Sequence, residues 1–335
     1  MTSALAKSYP RLWSLEGGRA MVVTDLHGDW PAYQRYRDRF VDLHARGQAD
    51  WLILTGDLIH REDNHPDRSI DIVLDVLALQ TSYGEAIIYL CGNHEMPHLY
   101  GISLAKGDRL FTPSFEVALN QSRRRADIIA LFDALPFFLR TRAGVSLTHA
   151  GASPPLVETN KVVELFHWSH QQILKWAEDV IAQEGVESLR RAYAKFTGED
   201  YETLAKFYLA VTGPADPRYN DLLRGFLVST HPHFDKLLWP ALFTRCEREY
   251  GRADYDIFLA AMLQELSTNF YPQQLLVAGH ITIQGGHQIS AKQHLRLASA
   301  YHATPYTAGQ YLLFDTARPV SHIEELLNGL GTVYK

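Results

Sequence analysis

Asp25, His27 and Asp29 fall within five positions in "TDLHGD", directly after the apolar run Met21–Val23, with Gly28 where the chain bends. Carboxylates and an imidazole at a strand end are expensive to bury without partners. The same grammar recurs along the chain. "TGDL" places Asp57 after the apolar residues 51–54, and "CGNHE" places Asn93 and His94 after another apolar run. "LTHAG" and "VAGH" do the same for His149 and His280. A single Asp after a strand is ordinarily a turn residue or helix cap, and a single His is ordinarily a core or surface residue. The signal lies in the ordered set D-x-H-G, G-D-x-x-x-R, G-N-H-E, T-H-A-G and A-G-H. Two cations about 3.5–4 Å apart need one bridging ligand and several flanking ones. Asp57 is the central candidate for the bridge. Asp25 and His27 complete one site; Asn93, His149 and His280 complete the other. Mixed imidazole and carboxylate donors suit Mn, Fe or Zn rather than Ca. The lack of ligand thiols argues against a structural zinc site, and Cys91 reads as a small buried apolar residue.

The elements that must position these residues alternate. "GRAMVV" reads as a strand, and the helix after it carries Tyr33, Tyr36, Phe40 and Leu43 at helical spacing, with Gly47 to stop it. The unbroken apolar run 51–54 reads as a strand covered on both faces. "SIDIVLDVLALQTSYG" reads as a helix burying Ile70, Val73, Leu74 and Leu77. Strands follow at "EAIIYLC" and "GVSLT". From 156 to 270 the chain is rich in helix formers and aromatics, which predicts a mostly helical insertion. His167, His170, His231 and His233 within it read as surface histidines. Strand character returns at "QQLLVAG", "HLRLASAYH" and "QYLLFD". This alternation predicts an α/β protein, and open α/β sheets place ligands beyond the carboxyl ends of their strands. Five strand ends carry the candidate ligands, so one sheet edge is expected to gather them.

Bulk properties exclude several classes. The net charge of −6 comes with no basic run beyond Arg123–Arg125, which reads as a solvated helix face, so no nucleic-acid partner is expected. No stretch of about 18 apolar residues suggests a membrane span. Two cysteines cannot build a disulfide framework. The N-terminal residues lack a basic segment followed by an apolar core, so a cytoplasmic protein is the expectation.

On "TDLHGD", "TGDLIHRED", "CGNHEM", "LTHAG" and "VAGHITIQGG" the chain resembles the calcineurin-like metallophosphoesterases. Within that superfamily it is most similar to the PPP type, the protein serine/threonine phosphatases and the symmetrical dinucleoside tetraphosphatases. The resemblance covers residues 20 to about 150 and 237 to about 315. It implies a single α/β domain over residues 1–335: a β-sandwich flanked by helices in four layers (α/β/β/α), with the helical insertion at 156–270 forming a cap. It implies two divalent ions, Mn favoured over Fe or Zn, with Asp25, His27 and Asp57 on the first and Asp57, Asn93, His149 and His280 on the second. It implies that a dimetal-bound water or hydroxide would attack phosphorus in line. By the same resemblance His94 would protonate the leaving oxygen as general acid, and Arg61 and Asn93 would hold the phosphate. "LLWPALFTR" offers Trp239 and a second phosphate-binding Arg245, with Arg248 as competitor.

Departures bear on the substrate. His60 stands where the protein phosphatases carry an Asp that orients the catalytic His; Glu62 and Asp63 are the candidates to replace it. Thr24 opens the first motif in place of Gly, and Thr282 rather than a second His follows His280, which favours the PPP-like branch. The expected activity is hydrolysis of phosphate monoesters, on a phosphoprotein or a small phosphoester. The alternative is a pyrophosphohydrolase acting on dinucleoside polyphosphates of the diadenosine tetraphosphate type. A third reading, a non-catalytic metal-binding scaffold, predicts a missing ligand or acid, and none is missing.

Overall fold

Short apolar runs form the strands. The structure, a computed structural model, describes residues 4–158, 160–244 and 246–334. In chain order the strands of its two main sheets are β1 (Leu5–Ala6), β2 (Leu12–Leu15), β3 (Arg19–Val23), β4 (Trp51–Leu54), β5 (Ile87–Tyr89), β6 (Phe138–Thr141), β7 (Val145–Thr148), β8 (Leu275–Ala278), β9 (His287–Ala291), β10 (His294–Leu297), β11 (Gln310–Asp315) and β12 (Leu330–Thr332). Among the described residues, one sheet has seven strands in the order β1-β2-β6-β7-β8-β10-β9, and the other has five in the order β12-β11-β3-β4-β5. The parallel neighbours β3, β4 and β5 are joined by helices α1 (Trp30–Ala45) and α2 (Ser69–Tyr83), as parallel pairing requires.

Period two along each strand separates two apolar layers. Ala20 and Val22 of β3 join Ile53, Ile88, Leu312 and Phe314 in a buried core shared with Leu139, Leu147, Val277, Leu295 and Leu297 of the other sheet. Met21 and Val23 are equally buried but lie outside that cluster, on the face turned the other way. Helix α1 buries Tyr33, Tyr36, Phe40 and Leu43, the expected stripe; the Asp29 carboxylate caps it by accepting from the Ala32 N–H at 3.0 Å. In α2 the buried face is Ile72, Val73, Val76 and Leu79, while Ile70, Leu74 and Leu77 are half-buried. That helix carries two overlapping apolar stripes, and spacing alone selects neither. The outer face of the seven-stranded sheet meets helix Arg252–Leu266: Tyr255 Oη bonds His294 Nδ1 at 2.6 Å, and Arg140 Nη1 donates to Leu266 O at 2.8 Å.

The chain divides into two compact units. The first holds both sheets and comprises the chain up to Asn93, Leu135–Trp168 and the residues from Leu237 onward. The second comprises His94–Ala134 and Ser169–Lys236. The helical region 156–270 is therefore shared between them. Its two ends stay with the sheets because buried guanidiniums there need acceptors: Arg11 Nε donates to Trp168 O at 3.1 Å, and Arg296 pairs with Glu247. The second unit is mostly helical, with a short hairpin of Ala105–Lys106 and Arg109–Leu110 and a core of Ile181, Tyr193, Tyr201, Ala205, Leu209, Leu222 and Leu223. Inside it, the Glu116 carboxylate accepts from Arg125 and Arg218 and lies 3.1 Å from His98 Nδ1. His170 is not a surface residue: it is fully buried, with Nδ1 2.5 Å from Tyr100 Oη. Among the described residues, no helix is long and apolar enough to cross a membrane.

Candidate metal centre

Register sets the positions of the candidate ligands. Val23 pairs with Leu54, and Leu54 with Tyr89, so β3, β4 and β5 end in one row. In the other sheet Thr148 pairs with Ala278, so His149 and the Gly279–His280 turn leave β7 and β8 side by side. Backbone bonds tie these loops together. The N–H groups of Leu26 and His27 both donate to Asp57 O at 2.9 Å, and Gly279 N–H donates to His149 O at 3.0 Å. Asp25, His27, Asp57 and His280 have φ of 36°, 44°, 52° and 74°. Such left-handed backbone costs on the order of 1–3 kcal/mol per residue and persists where surrounding structure enforces it. Four of the six expected ligands are held in this way. Two glycines permit the close approach. A Cβ on Gly279 would overlap the Asp25 carboxylate, and one on Gly56 would come within 2.7 Å of the Gly92 backbone and 2.8 Å of His149 Nδ1.

The six residues come together. His149 Nε2 lies 2.9 Å from Asn93 Oδ1, 3.0 Å from His280 Nδ1 and 3.3 Å from Asp57 Oδ2. Its other nitrogen, Nδ1, is 2.9 Å from Thr55 O. A carbonyl only accepts, so Nδ1 carries a proton, and in the neutral ring Nε2 turns a lone pair to the cluster. Burial, then the neighbouring His149, pushes His280 well below its usual pKa, so its imidazole is neutral at pH 7. Four electron-pair donors from four strands therefore converge on one point. A proton can satisfy one of those contacts, whereas a divalent cation satisfies all of them; the residues fit such an ion.

Asp57 links this group to a second. The same oxygen, Asp57 Oδ2, lies 3.8 Å from His27 Nε2 and 3.3 Å from His149 Nε2. Asp25, His27 and His302 have ligand atoms within 4.8 Å of one another, as do Asp57, His149 and His280. Both Asp25 oxygens accept from the His280 backbone N–H at 2.9 Å. Burial by itself raises the Asp25 carboxyl, but the adjacent His302 and then His149 outweigh it and hold it below the usual carboxylate range. Burial, then His302, lowers His27 and keeps its imidazole neutral.

The remaining expected residues are placed as follows. Arg61 is gripped by two carboxylates: Nε and Nη2 reach Asp63 at 2.6 and 2.7 Å, and Nη1 reaches Asp29 at 2.8 Å. Asp63 is thus committed to Arg61, while a Glu62 oxygen lies within 4.8 Å of a His27 ring nitrogen. His60 is buried at φ 69°, its N–H donating to Ser69 Oγ at 2.7 Å. His94 follows Asn93 directly, opens the second unit and is buried, with its ring 5.1 Å from Phe111. Arg245 lies outside the described residues. Its competitor Arg248 donates to Thr282 O at 2.5 Å, two residues beyond His280. Trp239 stacks edge-on against Phe243, whose ring is 5.9 Å from that of His149. Sequence reasoning missed His302 and the Asp29 grip on Arg61. His302 follows a strand, as the expected ligands do, but five residues past its end and outside every motif.

The family model for calcineurin-like phosphoesterases matches residues 18–210. The chain belongs to that family. A symmetrical bis(5'-nucleosyl)-tetraphosphatase of Nitrosococcus oceani is 28% identical over 134 residues, 40% of this chain; the chain spans 44% of that relative's length. Among solved structures, a Saccharomyces cerevisiae protein serine/threonine phosphatase with similarity to human phosphatase PP5 is 12% identical, covering 91% of this chain and 76% of its own, with a TM-score of 0.47. A metallophosphoesterase from Sphaerobacter thermophilus is 10% identical, covering 93% and 92%, with a TM-score of 0.33.

Proposed function

We propose that the chain hydrolyses phosphate monoesters, of a phosphoprotein or a small phosphoester, at a centre of two divalent cations held by Asp25, His27, Asp57, Asn93, His149 and His280. One observation carries the proposal: a single carboxylate oxygen, Asp57 Oδ2, faces an imidazole of each cluster. Bound there, the ions supply Lewis acidity toward the phosphoryl oxygens and lower the pKa of water; manganese is the favoured ion. His27 and His280, kept neutral by burial, offer lone pairs without first losing a proton. Asp63 and Asp29 occupy three of the five Arg61 N–H donors and fix the guanidinium plane, which leaves two N–H groups for an anion. Asn93 combines an acceptor oxygen with an amide donor for a phosphoryl oxygen. Arg245 adds a second cationic contact, and His94 delivers the proton to the leaving oxygen. The cytoplasm is the proposed place of action.

A second reading, hydrolysis of dinucleoside polyphosphates, is favoured by His60 in place of an acid-orienting Asp and by the activity named for the Nitrosococcus oceani relative. Initial rates with Mn²⁺ on p-nitrophenyl phosphate, a phosphoserine peptide and diadenosine tetraphosphate separate the two. Phosphate release from the first two supports monoester hydrolysis. Turnover of the dinucleotide alone selects the second reading. Protein that holds two ions yet turns over none of the three is a scaffold.

A further inference from the structure

His302 has no place among the six ligands expected from the sequence, yet it stands inside the cluster. It is 4% exposed, and its Nδ1 is buried without a hydrogen-bond partner among the described residues. The Asp25 Oδ1 carboxylate oxygen is 3.4 Å away. An imidazole nitrogen sequestered in this manner destabilises the fold by about 1–3 kcal/mol unless something else engages it. Its ring centroid lies 4.9 Å from that of His27 with the planes at 63°, so the two rings meet edge-on instead of stacking, and their nitrogens can address a shared point. The segment is firmly anchored. The Tyr36 hydroxyl donates to Ser299 O, Thr24 N–H donates to Ser299 Oγ at 2.9 Å, and Ile283 N–H donates to His302 O at 2.9 Å. The strand before it, β10, pairs in parallel with β8, the strand that delivers His280.

We propose that His302 is a direct ligand of the first cation, which is then held by Asp25, His27, Asp57 and His302. This rests on the dimetal reading above. With His302 counted, the two ions have matched donor sets: two imidazoles each, the shared Asp57, and one further oxygen from Asp25 or Asn93. Without it, the first site is one imidazole poorer than the second. Imidazole donors favour zinc, iron and similar ions over magnesium, so His302 both tightens the first site and biases it toward transition metals.

The test uses chelator-stripped full-length protein titrated with Mn²⁺ alone, read by calorimetry, by bound metal after gel filtration, and by the manganese electron-paramagnetic-resonance spectrum. Wild type is expected to take up two ions and give the broadened signal of a coupled pair. His302→Ala is expected to keep one tight ion, bind the other at least 10-fold more weakly, and show the six-line signal of an isolated ion; outer-shell partners of metal ligands are already worth about 10–100-fold. His302→Gln preserves size and a hydrogen-bonding amide beside Asp25, and covers the case in which the alanine variant fails to fold. The same loss of one tight ion is expected for it. Two ions at wild-type affinity in either folded variant overturn the assignment, and full rescue by Gln alone reduces His302 to orienting Asp25. Wild type that binds fewer than two ions overturns the dimetal reading itself, and the proposal with it.

Discussion

Glu247→Gln is expected to unfold the sheet unit more easily by about 3 kcal/mol at neutral pH. The Glu247 carboxylate receives Arg296 Nε at 2.6 Å and Nη2 at 2.7 Å, and the two side chains are 10% and 1% exposed. Removing one partner of such a pair strands the other charge away from water, typically a loss of about 3–5 kcal/mol. The proton equilibrium of the carboxyl gives a second figure. Burial raises the Glu247 carboxyl, but Arg296 outweighs it and lowers the pKa from an ordinary 4.5 to about 2. That depression corresponds to about 3 kcal/mol. Because the folded pKa is the lower one, the contribution is complete above 4.5 and fades as pH falls toward about 2. The gap between wild type and Glu247→Gln should therefore shrink to about 2 kcal/mol at pH 3.5. Urea unfolding of metal-free protein, followed by circular dichroism at both pH values, measures it. A gap under about 1 kcal/mol at pH 7, or one that does not shrink in acid, refutes the reasoning. Arg296 Nη1 also donates to Gly279 O at 2.7 Å, directly before His280, so the variant should bind Mn²⁺ less tightly as well.

Other perturbations separate the parts of the site. Gly279→Ala places a methyl group on the Asp25 carboxylate and should displace it from the His280 N–H, lowering stability by about 1.5–3 kcal/mol, the usual worth of a hydrogen bond to a charged group; a metal-free thermal melt unchanged from wild type contradicts this. His94→Ala should retain both ions and reduce kcat by about 10²–10⁴, with a smaller loss on p-nitrophenyl phosphate, whose leaving group needs no proton. Equal losses on aryl and alkyl phosphates remove the general-acid assignment. Arg61→Lys cannot reproduce the two-point fork with Asp63, so KM for a monoester should rise about tenfold while metal content stays constant; an unchanged KM means that Arg61 serves the fold and not the anion.

Much of the candidate cluster was legible because each residue follows an apolar run. Parallel register then forces Asp25, Asp57 and Asn93 to one edge and His149 beside His280. The α1 stripe was legible for a similar reason: only one face of Trp30–Ala45 is apolar. What escaped depends on pairings distant in the chain. The buried arginines find acceptors far away in sequence, Arg140 on Leu266 and Arg296 on Glu247, and these bonds decide which parts of 156–270 remain with the sheets. Nothing in the local pattern signals them. His170 looks polar in sequence, but its partner Tyr100 is 70 positions away. In α2, Ile70, Leu74 and Leu77 formed a plausible stripe that lost to Ile72, Val76 and Leu79. His302 was hidden because "ASAY" separates it from the end of its strand, and no spacing rule reaches across such a loop.

Counting ions bears most directly on the central claim, that one aspartate oxygen joins two cation sites. Chelator-stripped protein loaded with excess Mn²⁺ should hold two ions per chain, and Asp57→Asn, which weakens both sites together, should hold at most one. Wild type saturating at a single ion, or Asp57→Asn matching it at two, would contradict the shared bridge.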